Sequence, residues 1–141
     1  MCPKRLQRLL GKLTDIRFLK FLTVGGSGVF VNMFTLYLLT EFANLHYFIA
    51  GLLAIEISIL FNFTLNNLWT WGDRRSASVT TRLLKYHIAA GTTAFLGNWC
   101  ILILLTELWG VHYLISNFIG IVIGALLNFY VNDLWTFREN N

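Results

Sequence analysis

Charge is scarce in this sequence. Only 13% of its 141 residues are Asp, Glu, Lys or Arg, where a water-soluble domain carries about a quarter. The stretch 21–40 has no charged residue, and 47–65 has one. A soluble amphipathic helix shows charge on its outer face every turn or so, so these segments suit lipid. Proline is nearly absent, and the single Pro3 leaves every later helix unbroken. Cysteine is limited to Cys2 and Cys100, too few for a disulfide framework. Neither stands at zinc-ligand spacing from a histidine, and no metal or cofactor is expected. What is abundant is apolar: 56% of residues are hydrophobic, and mean hydropathy is +0.61. The net charge of +4 and the pI of about 9.3 would suggest nucleic acid in a soluble protein. Here they suit the anionic inner leaflet and its membrane lipids, or a lipid phosphate, and nucleic acid is not an expected partner.

Crossing the hydrocarbon core takes about 20 apolar residues at about 1.5 Å each. Four segments qualify, near 21–42, 47–67, 86–108 and 113–133. The basic residues give them a direction. Lys4, Arg5, Arg8, Lys12, Arg17 and Lys20 precede the first span. Arg74, Arg75, Arg82 and Lys85 lie between the second and third, and Arg138 follows the fourth. The loops 43–46 and 109–112 hold no Lys or Arg, so all 11 basic residues fall on one side. The positive-inside rule makes that side the cytoplasm. A three- or five-span arrangement would break the separation. The expectation is an all-α membrane protein with four transmembrane helices, in the plasma (inner) membrane, both termini cytoplasmic. Residues 1–20 form no continuous apolar core of a signal peptide. Leu6, Leu9, Leu10, Leu13 and Ile16 recur at helical spacing among Lys and Arg, which reads as an amphipathic helix on the inner leaflet. The four-helix domain would then occupy 21–141.

The chain repeats itself. Thr40-Glu41 returns as Thr106-Glu107, His46-Tyr47 as His112-Tyr113, and Asn62-Phe63 as Asn128-Phe129, each 66 residues on. Asn66, Leu68, Trp69 and Thr70 return as Asn132, Leu134, Trp135 and Thr136. Arg17, Leu19 and Lys20 match Arg82, Leu84 and Lys85 at a spacing of 65, so one residue has been gained or lost inside span one or three. The copies run over about 17–71 and 82–137. A two-span unit crosses an even number of times, so the copies are parallel, and a site is expected between the two hairpins.

Several residues stand out as candidates. Glu56 lies mid-span, with Val122 at its repeat position. An acid at that depth costs about 2.5–3.5 kcal/mol on insertion scales. It reads either as handling a proton or substrate, or as a protonated acid bonded between helices. Asn62 and Asn66 share one helix face, as do Asn128 and Asn132, and Asn32 and Asn98 add one amide each. Amides in lipid need partners, so they should face the bundle interior as helix glue or ligand contacts. Trp69 and Trp135 fall where an interfacial aromatic belt is expected. Gly25-Gly26-Ser27-Gly28 lies inside a span, without the strand a phosphate loop requires, and reads as close helix packing. Arg17, Lys20, Arg82 and Lys85 sit at the cytoplasmic mouths of spans one and three. They serve either topology alone or a lipid-linked phosphate.

Arg17-Phe18-Leu19-Lys20-Phe21 with Val24-Gly25-Gly26-Ser27-Gly28, Leu45-His46-Tyr47, and Asn62-Phe63-Thr64-Leu65-Asn66-Asn67-Leu68-Trp69-Thr70-Trp71 resemble GtrA-like membrane proteins. The second copy ends Asn128-Phe129-Tyr130-Val131-Asn132-Asp133-Leu134-Trp135-Thr136-Phe137. Trp71 stands where Phe is more usual. The resemblance covers nearly all the chain beyond its first residues. It implies a four-span protein of cell-envelope glycosylation or polysaccharide synthesis, standing beside a polyprenyl-phosphate glycosyltransferase or fused to one, as in dolichol-phosphate mannose synthase-like proteins. The implied role is to flip a polyprenyl-phosphate-linked monosaccharide between leaflets. Arg17, Lys20, Arg82 and Lys85 would attract the phosphate. Asn62, Asn66, Asn128 and Asn132 would receive sugar hydroxyls, and Glu56 would sit on the path. No acidic nucleotide-sugar motif lies outside the spans, so the chain is not expected to be an enzyme. The rival readings are a non-transporting anchor for such a glycosyltransferase and a small proton-coupled exporter of cations. Four helices are few for enclosing a headgroup, so self-association is expected.

Overall fold

A computed structural model describes residues 15–74 and 77–138. The predicted surface helix falls mostly on residues 1–14, outside those described. Among the described residues all regular structure is helical. Helix α1 runs Ile16–Glu41. Its start is fixed by Asp15, whose carboxylate accepts from the Arg17 backbone N–H at 3.4 Å, one of the donors a helix start leaves open. Residues 16–20 are thus the opening of α1 itself, ahead of the predicted boundary. Helix α2 runs Tyr47–Leu65 and continues as a π-helical turn, Asn66–Thr70. Helix α3 begins at Val79 behind Ser78, whose Oγ accepts from Thr81 N–H at 3.2 Å, and extends to Thr93. It passes through a π-helical stretch, Ala94–Trp99, into the short α4, Cys100–Ile103, and a further π stretch, Leu104–Leu108. Helix α5, Tyr113–Val131, ends in the π turn Asn132–Thr136.

Three helical segments are long and apolar enough to cross a membrane: Ile16–Glu41, Ile49–Thr70 and Phe118–Thr136. The predicted third span corresponds to α3 and α4. Its joining residues Ala94, Cys100 and Ile103 keep right-handed helical dihedrals, so the helical path runs on through both π stretches. The sequence anticipated no π geometry there, yet its repeat carries a trace of it. The second copy holds one more residue than the first between Lys85 and Asn98. A π turn holds an extra residue within an otherwise α-helical path, and the stretch Ala94–Trp99 begins in that interval, whereas α1 is regular throughout.

The chain divides into two compact units, 1–73 and 74–141. In the first, Phe21, Val24, Ala50, Phe63 and Trp71 are buried. In the second, Tyr86, Ala89, Ser116, Phe129 and Phe137 are buried, and these are the repeat positions of the first set. Phe21 meets Trp71 edge-on at 5.9 Å, and Tyr86 meets Phe137 at 6.4 Å. The hairpin turns match as well. Asn44 and Gly110, 66 apart, both take positive φ, 53° and 65°. Leu45 N–H bonds Leu39 O at 3.1 Å and Val111 N–H bonds Leu105 O at 3.0 Å, a left-handed helix closure that Gly and Asn tolerate best. In the second unit Gly97 lies so close to Gly124 that a methyl at Gly97 would overlap backbone. In the first, Gly28 lies directly against the Asn62 side chain. Much of the remaining apolar surface is exposed, including Val29, Phe30, Met33 and Phe34, as lipid-facing helices require.

Candidate functional site

Each unit carries a cationic and aromatic edge where its first helix starts and its second ends. In the first unit, α1 begins with Arg17 and Lys20 beside the π turn that ends α2. The Arg17 guanidinium is committed to a fork with Asp73, Nη1–Oδ1 at 2.8 Å and Nη2–Oδ2 at 2.6 Å, and Nη1 also donates to Thr70 O at 3.3 Å. This charge-assisted clamp ties the start of α1 to the end of the hairpin. Lys20 lies one helical turn on, with Nζ 5.4 Å from the centre of the Trp69 ring, within cation–π range. Trp69 remains 48% exposed. A cavity of about 500 Å³ opens here, lined by Arg17, Lys20, Trp69, Thr70 and Asp73 among others.

In the second unit Lys85 repeats the contact, its Nζ 5.5 Å from the centre of the Trp135 ring, with Trp135 41% exposed. Arg82 is only 3% exposed, and its Nη1 donates to the Arg74 carbonyl at 3.3 Å. Arg74 in turn bonds Asp133, Nη1 to Oδ1 at 2.6 Å and to the backbone carbonyl at 3.3 Å. Asp133 is buried, its side chain 3% exposed, so this pair lies in a low-dielectric setting. Sequence reading passed over Asp73, Arg74 and Asp133 as site residues. One signal was present: Asp73 has an acid, Glu139, at its repeat position, although Glu139 lies outside the described residues.

The amides divide. Asn66 is 1% exposed and its Oδ1 accepts from Thr70 Oγ1 at 2.7 Å. Asn132 is fully buried and its Nδ2 donates to Asn128 Oδ1 and to Asn128 O, both at 2.8 Å. The first bond lies within its π turn, and the other two fasten the second turn to α5. Asn62 Oδ1, Asn98 Oδ1 and Asn132 Oδ1 are buried atoms without a protein partner among the described residues. Asn98 and Asn128 share a cavity of about 220 Å³ in the second unit with Thr93, Ala94 and Gly124. Glu56 is exposed on α2 between the exposed Ile55 and Ile57. It stands ten residues before Asn66, about 15 Å along the helix axis, so the structure does not bring it to the cationic edge. Among the described residues no cluster of His, Cys, Asp and Glu is suited to a metal.

Duplicated helical hairpins with membrane-length apolar helices, an exposed apolar exterior and basic residues gathered at helix starts define a helical integral membrane protein. The chain belongs to the GtrA/DPMS transmembrane domain family, whose profile matches residues 20–98 and again 87–141. It is 43% identical over 121 residues to a dolichol-phosphate mannosyltransferase of Pyrococcus furiosus, covering 82% of this chain and 32% of that protein. It is 27% identical over 123 residues to the uncharacterized membrane protein YngA of Bacillus subtilis, covering 86% of this chain and 79% of that one. The chain thus spans about a third of the archaeal relative and most of the bacterial one.

Proposed function

We propose that this chain translocates a polyprenyl-phosphate-linked monosaccharide across the plasma membrane for cell-envelope glycosylation, without itself forming the glycosidic bond. In this reading the path 79–108 also crosses, as the third of four spans, and both termini are cytoplasmic. The phosphate is drawn by Lys20 and Lys85, on basic edges that Arg17 and Arg82 hold in shape. The half-buried amides Asn62 and Asn128 receive sugar hydroxyls, the buried Asn66 and Asn132 hold the turns behind them, and Glu56 lies further along the path. The observation that carries it is the cavity of about 500 Å³ beside Lys20 and Trp69, in a chain whose family includes a protein named for dolichol-phosphate mannose chemistry. A cation for the phosphate, an aromatic at the membrane interface and room for a headgroup are what a lipid-linked sugar needs at its entry point.

A second reading has a specific observation in its favour. The archaeal relative is named a mannosyltransferase and is about three times as long as the matched region. By that analogy the chain would anchor a membrane-associated glycosyltransferase at its lipid substrate. Reconstitution separates the two. The purified chain alone, in liposomes holding a short-chain polyprenyl-phosphate monosaccharide in one leaflet, should equilibrate the lipid between leaflets faster than protein-free liposomes. Equal rates would leave the anchor.

A further inference from the structure

The geometry points to two separate phosphate positions on each chain, one at Lys20–Trp69 and one at Lys85–Trp135, each built for a phosphate carried on an apolar chain. This inference rests on the lipid-phosphate reading above and adds to it a stoichiometry and the residues responsible.

Four observations carry it. The lysine–indole contact occurs twice at repeat positions, at 5.4 and 5.5 Å, in units that each form it from their own residues. The arginines of the same edges are already engaged: Arg17 is forked to Asp73, and Arg82 is buried, donating to a backbone carbonyl. They hold the edge in shape and are positioning residues. Neither lysine, by contrast, pairs with a carboxylate among the described residues. An ammonium with an aromatic face on one side has lost part of its water there and keeps donors for an anion on the other.

The fourth observation distinguishes a lipid from a free phosphate. Leu19 and Leu84, which precede the lysines, are 61% and 64% exposed. Leu68 and Leu134, which precede the tryptophans, are 59% and 55% exposed. Each ammonium therefore has exposed leucines as sequence neighbours of both its members, at the same positions in both copies. A phosphate bearing a hydrocarbon tail gains from burying such surface, and inorganic phosphate does not.

The test is native mass spectrometry and titration of the full chain in detergent with citronellyl phosphate, a short isoprenoid monophosphate. Two molecules should bind per chain. Lys20→Gln and Lys85→Gln should each remove one and leave the other, weakening that position by about tenfold or more, as loss of a charge-assisted bond does. Lys20→Arg and Lys85→Arg should keep both, and unchanged melting of every variant shows that the fold is intact. A single bound molecule, or two that persist in the Lys20→Gln/Lys85→Gln double variant, overturns the inference. So does displacement by inorganic phosphate at equal concentration. Binding is read without transport, so two lysine-dependent sites in a chain that fails to flip would sink the translocation reading alone. Flipping with one site would sink only this inference.

Discussion

Tryptophan 71 and aspartate 133 show how far a repeated sequence predicts its own side chains. Trp71 is fully buried and meets Phe21 edge-on, and the second copy solves the same position with Phe137 against Tyr86. Trp71→Phe should therefore cost little, whereas Trp71→Ala should lower stability by about 3–5 kcal/mol, the usual loss for a buried aromatic. Thermal unfolding in detergent reads both. At Asp133 the copies differ, because Asn67 stands at the matching position. Asp133 is paired with Arg74 at 2.6 Å in a buried setting, and removing one member of such a pair leaves a stranded charge at a cost of about 3–5 kcal/mol. Asp133→Ala should destabilise by that order, and Asn67→Ala by clearly less. The lysines and tryptophans of the cationic edge were legible in the sequence, as recurring residues with a topological reason to be there. Their contact was not, because residues 49 and 50 apart meet only through the hairpin's packing.

At the scale of the element, apolar length located the helical paths among the described residues, and the loops fell where the apolar runs broke. The helix ends moved where capping decided them, as Asp15 does for α1. The π turns escaped because no composition marks an i to i+5 bond; each is set by where its side chains find partners. The Asn66–Thr70 and Asn132–Thr136 turns hold Trp71 N–H on Asn66 O and Phe137 N–H on Asn132 O, both at 2.8 Å. The Ala94–Trp99 stretch differs, since the repeat supplies an extra residue there. A one-residue deletion in that stretch, at Phe95, should convert it toward regular helix and restore the 65-residue register of the first copy. The matching deletion in α1, at Val29, would instead rotate every later side chain of α1 by about 100° and misplace its buried face. The yield of folded protein on size exclusion should fall far more for the Val29 deletion, and equal losses would argue against the π turn as the seat of the extra residue.

For the whole molecule the duplication and the charge distribution together make a topological statement. Three helices meet the length and hydropathy of a span, while the path 79–108 is interrupted by π geometry and holds Arg82 and Lys85 near its start. If that path does not cross, α5 starts on the cytoplasmic side and Arg138 is carried outside. If it crosses, each hairpin is a complete round trip, and all 11 basic residues stay on one face. Two independent features favour the crossing: positive charge is retained on the cytoplasmic side, and the turns at Asn44 and Gly110 are closed by the same bonds at the same repeat positions. In a chain with Cys2 and Cys100 replaced, single cysteines at Ala43, Ala77 and His112 decide it. With a membrane-impermeant maleimide added to intact cells, four crossings predict labelling at Ala43→Cys and His112→Cys and none at Ala77→Cys. Three crossings predict that His112→Cys is silent. Labelling at Ala77→Cys would put the basic loop outside, and with it the cationic edges, reversing the membrane face at which the proposed lipid phosphate would enter.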